Sequence, residues 1–360
     1  MYRCSSCDRS YAESADSPWR CSCGHALDFD DPPVPPATPP DLDHDAGLWA
    51  FEELLAVDRQ VTLGEGWTPL VEAPDRDAEY KLDWLFPTGS FKDRGATATI
   101  SQALELGVDR VVEDSSGNAG VAIATYAARA GIDAEIFVPA SAKPGKLRAI
   151  ERTGATVRKI EGSRQDVTDA CIAAVEGDET DAWYASHAWN PAFFEGTATM
   201  ACEIGAQRGW TAPDVLVTPL GHGTLFLGAS RGFSRLKEAG WIEEMPRLYG
   251  IQAAGSAPIA AARHGSDRST EKNDLADGIQ IQKPARREQL LTAIEQTGGD
   301  AIAVGADRTE EVYDQLHRQG LYTEPTCAVA PAGLDVLRDR GEIAPGEDVV
   351  VALTGSGLKT

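Results

Sequence analysis

The chain has 360 residues, with 33 Lys plus Arg against 56 Asp plus Glu and a formal net charge of −23. This acidity argues against nucleic acid or an anionic membrane surface as a partner. Its 42% hydrophobic content is sufficient for a folded core, and the length predicts two domains with room for a small extra module. Because only 9 basic residues are Lys and the carboxylates are spread along the whole chain, we predict a halophilic protein, with an ordinary acidic one as the alternative.

The sequence has no apolar run long enough to cross a bilayer and no signal-peptide hydrophobic stretch at its beginning. We therefore expect a cytoplasmic protein with no membrane partner. Its seven cysteines are an odd number, which argues against a disulfide framework in a reducing compartment.

The first 30 residues contain two close cysteine pairs, Cys4 with Cys7 and Cys21 with Cys23. Four thiolates can close a tetrahedral Zn²⁺ site, and a module this small needs metal binding to fold. The alternatives are His25 as the fourth ligand or a knuckle that no longer holds metal. We predict a structural zinc-ribbon-like knuckle over residues 1–30.

A proline-rich segment follows the cysteines, and its composition predicts an extended linker over residues 31–46. Beyond it, short β-branched runs alternate with amphipathic stretches, which predicts an α/β fold with mostly parallel sheets. The predicted strands are residues 81–86, 110–113, 134–138, 156–160, 215–218, 248–252 and 348–353. The predicted helices are residues 90–106, 119–130, 146–153, 165–175, 193–207, 224–238, 309–319 and 326–339.

The first motif is P-T-G-S-F-K-D-R-G at residues 87–95. Ser90 and Asp93 have the spacing of a capping box, which predicts that the helix begins at Ser90. Lys92 would then lie in the first turn, where the positive end of the helix dipole disfavours an ammonium and makes the amine more nucleophilic.

Two further motifs also lie between a predicted strand and a predicted helix. Small residues in S-S-G-N-A-G, residues 115–120, let backbone N–H groups approach an anion, and Asn118 adds an amide donor. The G-H-G-T turn at residues 221–224 can enclose a phosphate, and we place His222 beside that phosphate rather than assign it as a general base.

The last motif, T-G-S-G-L-K at residues 354–359, follows a predicted strand, so the hydroxyl of Thr354 could meet a heteroaromatic nitrogen. In this order the four motifs resemble the pyridoxal-phosphate enzymes of fold type II, the tryptophan-synthase-β type. Within that superfamily the threonine synthase family is the most similar. Residues 276–281 and 324–328 and the cysteine knuckle also resemble segments of that family.

The resemblance implies a two-domain fold with parallel-rich sheets and a homodimer, which is common in the superfamily. The large cofactor-binding domain would comprise residues 47–94 and 186–360, and the small α/β domain residues 95–185. The implied cofactor is pyridoxal 5'-phosphate, and the implied partner is a small amino-acid substrate.

The resemblance also assigns roles to individual residues. Lys92 is the expected catalytic residue, forming a Schiff base with the cofactor and later moving protons. Asn118 would donate a hydrogen bond to the phenolic oxygen of the cofactor, and Thr354 would face its pyridine nitrogen. The other assignments are Gly221, His222, Gly223 and Thr224 for the cofactor phosphate, and Thr88, Ser115, Ser116, Gly117, Ala119 and Lys146 for the substrate.

The implied reaction converts O-phosphohomoserine and water into threonine and phosphate. This sequence departs from the family at residues 186–199, where Phe193 and Phe194 occupy the aromatic and basic positions of the family's N-P-Y-R segment. Ser356 also stands where the family usually has His. A phosphorylated substrate needs additional cations, for which the candidates are Lys143, Lys146, Arg148 and Arg164.

Two other functions are compatible with parts of the sequence. A serine/threonine ammonia-lyase or a cysteine-synthase-like β-replacement enzyme would use the same lysine and the same glycine-rich loops. A non-catalytic paralogue that binds partners through the knuckle and linker would have no reason to keep Lys92 together with all four loops.

Overall fold

The computed structural model describes residues 1–142, 144–177, 182–265 and 272–359. In these residues two mainly parallel sheets are flanked by helices, and a small antiparallel sheet precedes them. This arrangement confirms the α/β architecture that the alternating strands and helices predict. Within the same residues no helix is both long and apolar enough to span a membrane.

The amino-terminal unit is a three-stranded antiparallel sheet of β1 (Tyr2–Arg3), β2 (Ser10–Tyr11) and β3 (Asp28–Phe29), with β1 in the centre. Between β3 and the 3₁₀ segment His44–Leu54 the chain has no helix or strand, as its prolines predict. This linker packs on the body of the protein, because the indole N–H of Trp241 donates to the carbonyl of Pro36 over 2.8 Å.

The two larger sheets have six and four strands. In chain order their strands are β4 (Leu70–Ala73), β5 (Ala78–Lys81), β6 (Arg110–Glu113), β7 (Asp133–Pro139), β8 (Thr156–Ile160), β9 (Trp183–Tyr184), β10 (Val215–Pro219), β11 (Arg247–Ala253), β12 (Asp300–Val304) and β13 (Val349–Ala352). The six-stranded sheet has the order β12-β11-β10-β13-β5-β4, and the four-stranded sheet β8-β7-β6-β9. Only the β4–β5 pair is antiparallel among these described strands.

Helices cover the sheets and fill the space between them. They are α1 (Lys92–Glu105), α2 (Asn118–Ala130), α3 (Pro144–Glu151), α4 (Arg164–Glu176), α5 (Pro191–Gln207), α6 (Thr224–Glu238), α7 (Pro258–His264), α8 (Arg287–Thr297), α9 (Ala306–Arg318) and α10 (Pro325–Asp339). Helix α5 is buried along almost its whole length, since it packs between α1 and α6. Because the helices following β5, β6 and β10 all begin near strand carboxyl ends, these ends are where a ligand site is expected.

Two local predictions around Lys92 are wrong. The predicted strand over residues 81–86 lies instead at Ala78–Lys81, and a turn follows it. The predicted capping box is absent: helix α1 begins at Lys92 without a side-chain cap. Asp93 accepts hydrogen bonds from the backbone N–H and the hydroxyl of Thr88, so its carboxylate serves the preceding turn and not Ser90.

A buried cluster of charges holds the beginning of α1 in place. The Arg94 guanidinium pairs with both carboxylate oxygens of Asp83, at 2.8 and 3.0 Å, and with both of Glu203, at 2.5 and 2.8 Å. Lys81 Nζ adds a 2.7 Å contact to Glu203, and all four side chains are fully buried. Burial would raise the pKa of Glu203, but Arg94 and Lys81 outweigh it and lower that pKa to about 2.

Replacing Arg94 with Met should lower the free energy of unfolding by about 3–5 kcal/mol, because Asp83 would remain buried without its cationic partner and Glu203 would keep only Lys81. Urea denaturation followed by circular dichroism measures this loss. The matched control is Arg318→Met, since the Arg318 side chain is 74% exposed and its surface ion pair contributes less than about 1 kcal/mol. Equal losses in the two variants would contradict the role assigned to Arg94.

Candidate active site

Lys92, the first residue of α1, lies where that helix meets the turn before α6. Its Nζ donates to the hydroxyl of Thr224 over 3.2 Å. The same Nζ lies 4.3 Å from the ring centre of Phe91 and 5.8 Å from that of Phe193. The structure therefore places the predicted catalytic amine beside Thr224, the first residue of α6, and near two aromatic rings.

The surroundings of Lys92 make its amine easier to deprotonate. Burial lowers the pKa of Lys92 to about 8, and the carboxylates of Glu113 and Glu324 oppose that shift without cancelling it. A lysine with such a pKa is partly neutral near physiological pH, which is the state that can act as a nucleophile or a base.

The turn between β10 and α6 forms a narrow cradle. Gly223 has φ +79°, and a Cβ at this position would lie 2.4 Å from a methyl carbon of Leu290. Beside the turn, the Nδ1 of His222 and the hydroxyl of Thr218 are buried without a partner in the described part of the chain. Unpaired polar atoms next to a glycine turn at a helix beginning are suited to an anion that completes their hydrogen bonds.

The S-S-G-N turn connects β6 to α2. The Ser115 hydroxyl accepts from the N–H of Gly117 over 3.2 Å, while Ser116 is half-buried and Ala119 is buried in the first turn of the helix. Gly120 is required here, since a Cβ would lie 1.8 Å from the carbonyl oxygen of Ser115. The turn thus places small residues and the N–H groups of a helix beginning at the carboxyl end of β6.

Asn118 and the terminal loop meet at the carboxylate of Glu324, to which the sequence motifs assign no role. The Asn118 amide donates to Glu324 over 3.0 Å, and a Cβ at Gly355 would lie 2.2 Å from the same carboxylate. Thr354 is 4% exposed, and its hydroxyl lies 3.5 Å from the Cys327 sulfur. The only sequence signal for Glu324 was the E-P-T-C segment, where proline begins α10.

Backbone hydrogen bonds join the terminal loop to the lysine motif. The N–H of Phe91 donates to the carbonyl of Thr354 over 3.0 Å, and the N–H of Ser356 donates to that of Gly89 over 2.8 Å. Lys92, Asn118 and Thr354, which are far apart in sequence, are therefore brought together near Glu324, and we call this region the cleft.

Some predicted substrate residues have other partners or are not described. The Thr88 hydroxyl donates its hydrogen to Asp93, so it could contact a substrate only as an acceptor while that bond is kept. Lys143 and the side chain of Lys146 lie outside the described residues. Of the other candidate cations, Arg148 is exposed, whereas Arg164 pairs with Asp114 over 3.3 Å.

A histidine–carboxylate pair in the same region was missed. His187 Nδ1 lies 2.6 Å from Glu113, whose second oxygen accepts the His187 backbone N–H over 3.1 Å. The His187 ring meets the edge of His222, with ring centres 5.3 Å apart. The two residues of the pair are 74 positions apart, so no local pattern could indicate their contact.

The four cysteines of the knuckle converge on one another. Their sulfur atoms lie within 4.8 Å of one another, with Cys4 and Cys23 at 3.5 Å and Cys7 and Cys21 at 3.5 Å. Tetrahedral zinc with bonds of about 2.3 Å would place sulfurs roughly 3.8 Å apart. The cysteine positions therefore fit a four-sulfur metal site.

Comparison with known proteins gives consistent results. Residues 61–355 match the model of the family described as pyridoxal-phosphate dependent enzyme. Threonine synthase of Methanosarcina acetivorans is 36% identical over 327 residues, 87% of this chain and 80% of that protein. Threonine synthase of Methanocaldococcus jannaschii is 32% identical over 379 aligned residues, covering 100% of this chain and 93% of that protein.

Solved structures share the fold. Maize serine racemase superposes with a TM-score of 0.69 over 81% of this chain and 88% of that chain, at 20% identity. Tomato threonine deaminase gives 0.65 over 81% of this chain and 79% of that chain, at 21% identity. At these identities the likeness concerns the architecture alone.

In the cofactor-free protein, the rate at which added pyridoxal phosphate attaches to Lys92 should rise with pH through about 8, as the amine loses its proton. Glu324→Gln should move the midpoint down by roughly 1 pH unit, because removing a nearby negative charge destabilises the ammonium. Stopped-flow absorbance measures the rate. Glu310→Gln, at an exposed position, is the control, and an unmoved or raised midpoint in Glu324→Gln would refute the electrostatic account.

Proposed function

Since this chain belongs to the threonine synthase family of pyridoxal-phosphate-dependent enzymes, we propose that it converts O-phosphohomoserine and water into threonine and phosphate. The observation that carries the proposal is Lys92 Nζ at 3.2 Å from Thr224, at the beginning of the glycine-turn helix. This contact supports the proposal because Thr224 follows the glycine turn that would hold the cofactor phosphate, within a chain that matches the family over most of its length.

The residues present fit pyridoxal phosphate. The cofactor phosphate would lie on the turn of Gly221, His222, Gly223 and Thr224, where the buried Nδ1 of His222 needs a partner. Asn118 and Thr354 would flank the ring. When bound, the cofactor supplies the electron sink for carbanion chemistry.

The protein supplies binding and proton transfer. Lys92 would hold the cofactor and carry the proton taken from the substrate Cα, for which a pKa of about 8 is well suited at neutral pH. Ser115, Ser116, Gly117 and Ala119 would receive the substrate carboxylate at the beginning of α2. Phe91 and Phe193 would exclude water from one side of the amine.

One observation favours a second candidate reaction. Phe193, which occupies one of the family's aromatic and basic positions, lies 5.8 Å from Lys92 Nζ and gives that side of the cleft an apolar wall. A serine/threonine ammonia-lyase or a cysteine-synthase-like β-replacement enzyme needs no phosphate site for its substrate. This alternative predicts 2-oxobutanoate from threonine, or cysteine from an activated serine and sulfide.

The division of the chain into domains also stays a proposal. The four-stranded sheet lies within residues 95–185, and the strands of the six-stranded sheet lie within 47–94 and 186–360, which supports the predicted boundaries. We propose a homodimer on the family resemblance alone.

We further propose that the cysteine cluster holds a structural zinc ion and that the enzyme works at high salt. The knuckle has few buried apolar side chains, so metal binding would supply much of its folding energy. The carboxylates of Asp114 and Glu324 act on His222 and Lys92 and would repel anionic ligands. Molar salt shortens the screening length to about 3 Å, which would relieve that repulsion.

The purified holoenzyme in molar KCl should release threonine and phosphate from O-phosphohomoserine in equal amounts. Lys92→Ala should lose at least about a thousandfold in kcat, because the proton carrier is removed. Amino-acid analysis and a phosphate assay measure both products. The control Lys237→Ala removes an exposed lysine and should keep full activity. Release of 2-oxobutanoate from threonine without phosphate release from O-phosphohomoserine would replace this function by the second candidate.

One zinc ion should copurify with each chain, and Cys4→Ser should abolish its binding and lower the Tm, because Cys4 is a buried member of the four-sulfur set. Plasma mass spectrometry and thermal unfolding measure these changes. His25→Ala is the discriminating control: its Nδ1 lies 3.4 Å from Cys23, yet the four sulfurs complete the site without it. Zinc loss in His25→Ala would assign the fourth ligand to the histidine.

A further inference from the structure

His187 is a buried imidazole with one ring nitrogen committed and the other available. It is 6% exposed, and its Nδ1 lies 2.6 Å from Glu113 Oε1. Glu113 Oε2 also accepts the backbone N–H of His187, so the carboxylate fixes both the ring and its main chain. In the described part of the chain no hydrogen-bond partner contacts Nε2, which is the nitrogen left for a ligand.

The ring of His187 lies near both His222 in the turn before α6 and Phe193 beside Lys92. It contacts the edge of His222, at 5.3 Å and an interplanar angle of 87°, and lies 6.0 Å from the ring of Phe193. His222 in turn has a buried Nδ1 without a partner. Two imidazoles from different elements thus meet at one edge of the cleft, next to the reactive amine.

The charges that face the two histidines are mixed. The cationic groups are Lys92 and Arg164, and the carboxyl groups are Asp114 and Glu113. Burial, with Lys92 and Arg164, lowers the pKa of His187 well below its usual value, so this imidazole is neutral in the empty cleft. Burial first, and then Asp114, raises the pKa of Glu113 well above its usual value, so burial disfavours the charged form of both members of the pair.

A phosphate dianion in this cleft needs charged donors. Arg164 is already paired with Asp114, and Phe193 offers no donor on the side nearest Lys92. With His222 assigned to the cofactor phosphate, His187 is the nitrogen donor that can become cationic when a second anion lies beside it, because a nearby negative charge raises the pKa of an imidazole.

We propose that His187, held by Glu113 and adjoining His222, receives the phosphate group of the substrate and takes up a proton from solvent when that phosphate binds. This inference rests on the proposed function, since it assumes a phosphorylated substrate. No bond is broken in the step: one proton moves from the buffer to the His187–Glu113 pair, whose Nε2–H then donates to a phosphate oxygen. His187 thereby determines specificity for a phosphorylated side chain.

The test is titration calorimetry of the holoenzyme with inorganic phosphate at about pH 8, where phosphate is a dianion, in buffers of different ionisation enthalpy. The wild-type holoenzyme should take up close to one proton for each phosphate bound. His187→Gln should abolish the uptake and weaken phosphate binding about 10- to 100-fold, the loss of one charge-assisted hydrogen bond. The matched control His264→Gln alters a half-exposed surface histidine and should behave like the wild type.

Several outcomes would overturn the inference. Proton uptake that persists in His187→Gln and His187→Asn would place the titrating group elsewhere. Uptake that accompanies loading of the cofactor-free protein with pyridoxal phosphate, but not phosphate addition to the holoenzyme, would assign the histidines to the cofactor phosphate. If phosphate binds with uptake but O-phosphohomoserine is not turned over, the anion site stands and the proposed function fails. If His187→Gln turns over O-phosphohomoserine with an unchanged KM, the proposed function stands and the assignment of His187 to the substrate phosphate fails.

Discussion

The bidentate pairing of Arg94 with Asp83 and Glu203 is the interaction on which the position of the reactive lysine depends. Arg94 is two residues from Lys92 in the same helical turn, and its partners come from the turn after β5 and from α5. Guanidinium forks fix both distance and angle. A buried network of this kind is costly unless every charge is paired, so the beginning of α1 has one well-determined position.

The same region determines how α1 and α5 approach each other. A Cβ at Gly95 would lie 2.2 Å from the Phe193 ring on α5. A Cβ at Gly196 would lie 1.9 Å from the carbonyl oxygen of Arg94 on α1. This close packing brings Phe193 toward Lys92 and removes water from one side of the amine. The desolvation that lowers the pKa of Lys92 therefore follows from helix packing, and it outweighs the opposing effect of the neighbouring carboxylates.

Much of the fold could be predicted from sequence because its signals are local. The predictions match β6 at residues 110–113, β8 at 156–160 and α6 at 224–238. β-Branched runs indicate strands directly, and an amphipathic period indicates a helix. Strand β12 and helix α8 were not predicted; Asp300–Val304 is rich in alanine, so its β-branched signal is weak. The capping box failed because Ser90–Asp93 spacing does not reveal that Thr88 competes for the carboxylate.

The candidate site could be predicted only where the residues that contact each other lie within one short motif. The lysine motif and the glycine turns are contiguous, and their contacts follow from strand–turn–helix order. The contact between Glu113 and His187 joins residues 74 positions apart. The contact between Asn118 and Glu324 joins residues 206 positions apart. Such pairs depend on how the sheets are assembled, which no local spacing encodes.

Borohydride reduction of the holoenzyme, followed by proteolysis and peptide mass spectrometry, tests most directly the claim that this network presents Lys92 to the cofactor. Reduction fixes pyridoxal phosphate to the lysine that holds it, and the chain has only 9 lysines to distinguish. The account predicts one labelled peptide, containing Lys92, and loss of the label in Lys92→Ala. Label on another lysine, such as the buried Lys81, or retention of the label in Lys92→Ala would contradict it.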